Sequence, residues 1–197
     1  KYASRVGAWN NDCRLPSAGY PSLPRILSAV GYESYLCGKM HYDASCRYGF
    51  TELGGNMNAN VMTGKGARQN PDDLTPLPGL SERFAEFGTA SSSSVMDHDK
   101  QVTAGTVAFL SKRKAGAKPF FLLSGYLAPH FPLIVPPAYH QIYQGKIPLP
   151  VIPAGHLASQ PLNYQHLRIA FNMEDVPQAT VKLGRELYYG LTGWLDT

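Results

Sequence analysis

Residues 119–127, Pro-Phe-Phe-Leu-Leu-Ser-Gly-Tyr-Leu, form an almost continuous apolar run of strand length. A strand with one wet face alternates apolar and polar residues, and this run does not alternate. Runs of this kind belong to strands buried on both faces, the situation of parallel sheets covered by helices. The chain must therefore carry crossover helices on either side of such a strand.

The flanking sequence has that rhythm. Ser22-Leu-Pro-Arg-Ile-Leu-Ser-Ala-Val-Gly31 predicts a short helix capped by Ser22, with Pro24 tolerated in the first turn and Gly31 as the stop. Tyr32-Glu-Ser-Tyr-Leu-Cys37 follows as a strand with aromatic and apolar enrichment. Residues 96–114 predict the next helix, with Asp97 or Asp99 as its cap and Val102, Thr106, Phe109 and Leu110 on one face. At the end of the chain Leu187, Leu191, Trp194 and Leu195 recur at i, i+4, i+7 and i+8, one face of an amphipathic helix. On that helix Tyr188 and Tyr189 read as core. Residues 42–96, rich in glycine, asparagine and serine, predict a disordered segment or a functional surface loop. The proline-rich stretch from 128 to 180 predicts irregular chain. Together these give an α/β fold, an open, mostly parallel sheet flanked by helices. At 197 residues with 44% hydrophobic content the chain fits one domain. It opens on Lys1 and its last helix stops at Thr197 without a cap, so we expect an internal piece of a longer protein.

Composition removes several function classes. A net charge of +4 on 16% charged residues is mild, and the basic residues are scattered. The one dense run, Lys112-Arg113-Lys114, falls where a helix ends and complements its dipole. No nucleic-acid module accompanies it. Cys13, Cys37 and Cys46 are too few and too irregular for a disulfide framework or a zinc site. No stretch approaches the length of a membrane span. Asp72 and Asp73 read as solvated, and His98, His140, His156 and His166 have no partner visible in the sequence.

Chemistry concentrates where the two strands end. In open α/β sheets, ligands bind outside the carboxyl ends of the strands. The first strand ends in Gly38-Lys39-Met40-His41 and the second in Ala128-Pro129-His130-Phe131-Pro132. If the strands are neighbours, Lys39, His41 and His130 converge on one crevice. Two imidazoles and an ammonium there suit an anion with charge spread over several oxygens, such as sulfate or phosphate. Taken singly, Lys39 could be a solvated strand terminus and His130 a loop histidine bonded to backbone carbonyls. The case rests on both strand ends carrying such residues.

The block Gly31-Tyr32…Gly38-Lys39-Met40-His41…Gly49-Phe50 resembles the Gly-Lys-[Trp/Met]-His block of the type I sulfatases, in the alkaline-phosphatase superfamily. Residues 118–143, Lys-Pro-Phe-Phe-Leu…Ala-Pro-His-Phe-Pro…Tyr, resemble that family's second block, and Met40 is reminiscent of its choline-sulfatase-like branch. The resemblance implies an alkaline-phosphatase-like domain of which 1–197 is a part, lacking the N-terminal nucleophile and metal segment and the C-terminal portion. It implies a sulfuric ester hydrolase that cleaves a sulfate monoester through an upstream formylglycine. In it Lys39 bridges sulfate and nucleophile, His41 serves the hydrated formylglycine, and His130 lies near the leaving-group oxygen and a sulfate oxygen. Lys39 and His130 would bind substrate.

The nucleophile motif, Cys/Ser-x-Pro-x-Arg, has only near misses. Cys13-Arg14-Leu15-Pro16 sets proline three residues after the cysteine instead of two, and Ser22-Leu23-Pro24-Arg25 has its arginine one place early. The resemblance therefore puts the formylglycine and the ligands of a Ca²⁺ ion outside this chain, so no metal ligands are expected within 1–197, and 1–197 alone should be inactive. Implied partners are a sulfated small molecule or glycan, without nucleic acid or membrane. Alternatives are a phosphonate or phosphate monoester hydrolase of the same superfamily, or a non-catalytic anion-binding relative. Residues 42–96 and 146–180 are expected to rim the pocket.

Overall fold

The structure, a computed structural model, describes residues 19–40, 46–54, 75 and 81–197. In chain order the elements are α1 (Leu23–Ala29), β1 (Glu33–Gly38), β2 (Thr51–Leu53), β3 (Gly88–Thr89), α2 (Ser94–Ser111), β4 (Phe120–Gly125), β5 (Ile134–Val135), α3 (Pro137–Tyr143), α4 (Leu162–Ala170) and α5 (Gln178–Leu195). The chain divides into two compact units, one of Lys1–Val61 with Met96–Leu127, the other of Met62–Val95 with Ala128–Thr197.

The first unit is built on a parallel sheet of order β2-β1-β4. β1 and β4 pair along their whole length, from Glu33 opposite Phe120 to Gly38 opposite Gly125. Because side chains alternate across a strand, Tyr35 and Cys37 share a face with Phe120 and Ser124. That face meets α2. The ring of Phe109 lies 4.5 Å from Tyr35 and 5.2 Å from Phe120, and the Thr106 and Ser124 hydroxyls are 2.7 Å apart. The Cys37 thiol donates to the Val102 carbonyl oxygen at 3.5 Å. The other face carries Phe121 and Leu123. With Phe50, Tyr48, Met40 and Leu23 they line an apolar hollow of about 420 Å³ beside α1. Ser22 starts α1 as expected, its Oγ accepting the Arg25 N–H at 3.4 Å and donating to the Tyr48 carbonyl oxygen, while Gly31 closes the helix with φ at +90°.

The expected parallel sheet with flanking helices is present, but β4 is half-buried instead of sealed on both faces. Among the described residues it pairs only with β1. α2 begins at Ser94, so neither Asp97 nor Asp99 is its cap: Asp97 sits in the first turn, and Asp99 turns inward. Leu110 does not share the buried face either. At about 100° per residue it stands roughly 80° away from Val102, and it is 47% exposed where Val102 is buried.

In the second unit β3 and β5 pair in parallel, Gly88 opposite Ile134 and Thr89 opposite Val135. Val135, Leu187 and Leu191 are its fully buried core. Glu186, buried on α5, accepts the Gly145 N–H at 2.9 Å and stands 3.4 Å from His140 Nε2, which ties α5 to the end of α3. The expectation of irregular chain fails here. The stretch 128–180 is not irregular, because it contains β5, α3 and α4. Its prolines start helices: Pro137 opens α3, and Pro161 and Pro177 stand at the N-caps of α4 and α5. Proline is well placed there, where its missing N–H costs nothing. Likewise 42–96 holds β2, β3 and a 3₁₀ turn at Glu82–Phe84. Tyr188 and Tyr189 are exposed at 49% and 43%, not core, since the buried face of α5 runs through Glu186, Leu187, Gly190 and Leu191.

Candidate active site

Two glycines shape the carboxyl edge of the first sheet. Gly38, the last residue of β1, has φ at +92°, and a Cβ on it would overlap the Gly125 carbonyl oxygen and the Val102 side chain. A Cβ on Gly125 would overlap the Lys39 carbonyl oxygen and lie 2.8 Å from the Lys39 nitrogen. Only glycine fits either place without displacing backbone. The reward is a close crossing in which the Lys39 N–H donates to the Gly125 carbonyl oxygen at 2.7 Å, one rung beyond the strand pairing.

Lys39 therefore leaves the sheet at the edge where ligands of such sheets bind. Its ammonium is half-buried, and among the described residues no carboxylate pairs with it. Burial lowers its pKa below the ordinary lysine range. Desolvation disfavours the charged form, and a nearby anion would offset it.

His130 belongs to the second unit and Lys39 to the first. The imidazole of His130 is exposed; its Nδ1 donates to the Phe131 carbonyl oxygen at 3.0 Å, which leaves Nε2 as the ring nitrogen not engaged by that bond. The His130 ring meets the Phe131 ring edge-on at 5.7 Å, and the Arg83 guanidinium lies over Phe131 at 5.2 Å and over Phe171 at 4.2 Å. Both flanking bonds, Ala128–Pro129 and Phe131–Pro132, are cis. His41 lies outside the described residues, as do Cys13, Asp72 and Asp73.

Sequence reasoning missed a buried pair on α2. Asp99 is 1% exposed, and its Oδ1 accepts the Leu127 N–H at 2.7 Å and the His98 Nδ1–H at 2.8 Å. His98 is itself 6% exposed, and its Nε2 has no hydrogen-bond partner among the described residues. The available signal was spacing, since Asp99 lies on the stripe that runs through Val95, Met96 and Val102, where a lone carboxylate is out of place.

Cys37 is fully buried, and burial pushes its thiol pKa up, so it is neither nucleophile nor ligand at neutral pH. Among the described residues no three His, Cys, Asp or Glu side chains come together as a metal site. No helix there is long and apolar enough to cross a membrane.

Three comparisons bear on this arrangement. The sulfatase family model matches residues 2–150. Human iduronate 2-sulfatase is 30% identical over 220 residues, an alignment covering 98% of this chain, and the mouse iduronate 2-sulfatase is 28% identical over 233. The chain spans 38% of the length of each of these relatives. Among solved structures, a protein in complex with its substrate D-glucosamine-2-N,6-O-disulfate superposes with a TM-score of 0.54 at 15% identity, over 100% of this chain and 48% of that one. That likeness concerns the fold.

Proposed function

The chain belongs to the sulfatase family, and from that premise we propose that the protein containing it hydrolyses a sulfate monoester. The observation that carries the reading is Lys39, a partly desolvated ammonium at the carboxyl edge of a parallel sheet with no carboxylate partner among the described residues. As the S–O bond breaks, charge builds on the ester oxygens, and a preorganised ammonium stabilises that charge without moving. His130, as imidazolium, would donate its Nε2 proton to the departing oxygen, with the Phe131 carbonyl holding Nδ1 throughout. The resemblance gives His41 the task of expelling sulfate from the nucleophile afterwards.

The formylglycine and Ca²⁺ that the resemblance implies would be held by residues other than those described, where no ligand cluster occurs. Calcium suits carboxylate and amide oxygens. The substrate we propose is a sulfated small molecule or glycan. The name of the human and mouse relatives favours a sulfated sugar acid.

The test is turnover of matched aryl sulfate and aryl phosphate esters by the full-length protein, alone and as Lys39→Ala. Sulfate turnover well above phosphate turnover, lost in the variant, is the expected result. Preference for phosphate would move the enzyme to another branch of the superfamily, and binding of sulfate without any turnover would make it a non-catalytic anion binder.

A further inference from the structure

The buried pair His98–Asp99 has no part in the chemistry above, yet it sits at a telling place. Leu127 is two residues past the end of β4, where the ladder with β1 has stopped; the last rung is the Lys39 N–H on the Gly125 carbonyl oxygen. A buried backbone amide leaving a sheet has lost its strand partner and needs another acceptor. Asp99 Oδ1 is that acceptor for Leu127 at 2.7 Å. The same oxygen takes the His98 Nδ1–H at 2.8 Å, so the imidazole holds the carboxylate in the rotamer that reaches Leu127. A 1% exposed carboxylate is retained in a fold only with such hydrogen bonds. The His98 Nε2 atom has no hydrogen-bond partner among the described residues, so the hydrogen bond His98 makes in this buried place is the one to Asp99. Three residues on in the chain from Leu127 stands His130.

We propose that Asp99, oriented by His98, is a positioning residue: it fixes the backbone at Leu127 and thereby the point from which the Ala-Pro-His-Phe-Pro segment departs. The proposal rests on the sulfate-ester reading for its catalytic half and on hydrogen bonding alone for its anchoring half.

The test uses the full-length protein with Asp99→Leu, which keeps the branching at Cγ and removes the acceptor, and Asp99→Asn, which keeps an acceptor oxygen. Against sulfate esters of graded leaving groups, Asp99→Leu should lose about 10²-fold in kcat/KM, the scale of a misplaced reacting group, and lose most on the poorest leaving groups. Asp99→Asn should stay within a few-fold of wild type. Adding His130→Ala to Asp99→Leu should cost little beyond His130→Ala alone, because both changes act through one group. If Asp99→Leu does not fold, His98→Phe, which keeps a ring and removes the donor, should shift the leaving-group dependence in the same sense. A loss uniform across leaving groups, full additivity with His130→Ala, or no rescue by asparagine overturns the positioning role.

Amide hydrogen exchange reads the anchoring half without activity. The Leu127 amide should be protected in wild type and Asp99→Asn and open in Asp99→Leu, with Leu123, whose amide faces β1, protected in all three. A Leu127 amide that exchanges freely in wild type overturns it. Full-length protein without sulfate-ester turnover overturns the sulfate reading and the catalytic half together, and exchange at Leu127 then decides the anchor.

Discussion

The backbone of Lys39 lies directly against Gly125, its N–H on the Gly125 carbonyl oxygen at 2.7 Å and its own carbonyl where a Gly125 side chain would begin. The candidate cation is thus held by main-chain contact between two strand ends. Its placement depends on a residue with no side chain of its own.

Gly125→Ala should therefore destabilise the protein by about 1–3 kcal/mol, the range for forcing extra volume into packed structure. The affected atoms are backbone and cannot rotate away. Thermal melting measures the loss, and folded variant should still show reduced kcat. A variant of native stability and activity would mean that the strand ends are not in contact as described.

Lys39→Ala in the full-length protein should lower kcat by at least ~10²-fold, the scale for one preorganised charge-stabilising donor. Lys39→Arg should not restore it, since a planar fork cannot stand in for a compact ammonium. Steady-state kinetics on an aryl sulfate checks both, and alanine activity within a few-fold of wild type removes Lys39 from the mechanism.

Burial lowers the Lys39 pKa below the ordinary lysine value of about 10.4. In the window between the two values the unfolded chain binds more protons than the folded one, so this group's contribution to stability rises with pH there. Activity runs the other way, because the ammonium is the working form. kcat/KM should fall as pH rises through the folded-state value, and the limb in kcat should lie higher because bound anion favours the charged form. An alkaline limb in kcat/KM at or above the ordinary lysine value would contradict the assignment.

His130→Ala should slow esters of alkyl alcohols more than nitrophenyl sulfate, because a poor leaving group depends most on proton delivery. With Nδ1 committed to the Phe131 carbonyl, the proton must come from Nε2. Equal losses on both substrates would leave His130 a role in binding only.

Much of the first unit was legible because its signals are local. The apolar run of β4, the Ser22 cap and the Gly31 stop each state their geometry within a few residues. Lys39 could be placed at a strand terminus for the same reason. Asp99 could not be understood that way: its meaning lies in Leu127, twenty-eight positions away, and an acidic residue near a helix start reads first as a cap. The prolines of 128–180 misled because proline breaks a helix inside and starts one at its edge, and only the neighbouring turns decide which.

The pairing of β1 with β4 also governs how this chain is made. Glu33 meets Phe120 and Gly38 meets Gly125, so β1 leaves the ribosome long before its longer partner exists. Until then β2, three residues long, is its one described partner, and the side of β1 that β4 will cover stays open. Joining partners so distant in the chain requires closing a long loop before any contact rewards it, which slows folding. The edge that carries Lys39 consequently cannot form until β4 has emerged, and through that interval β1 offers an unpaired strand edge.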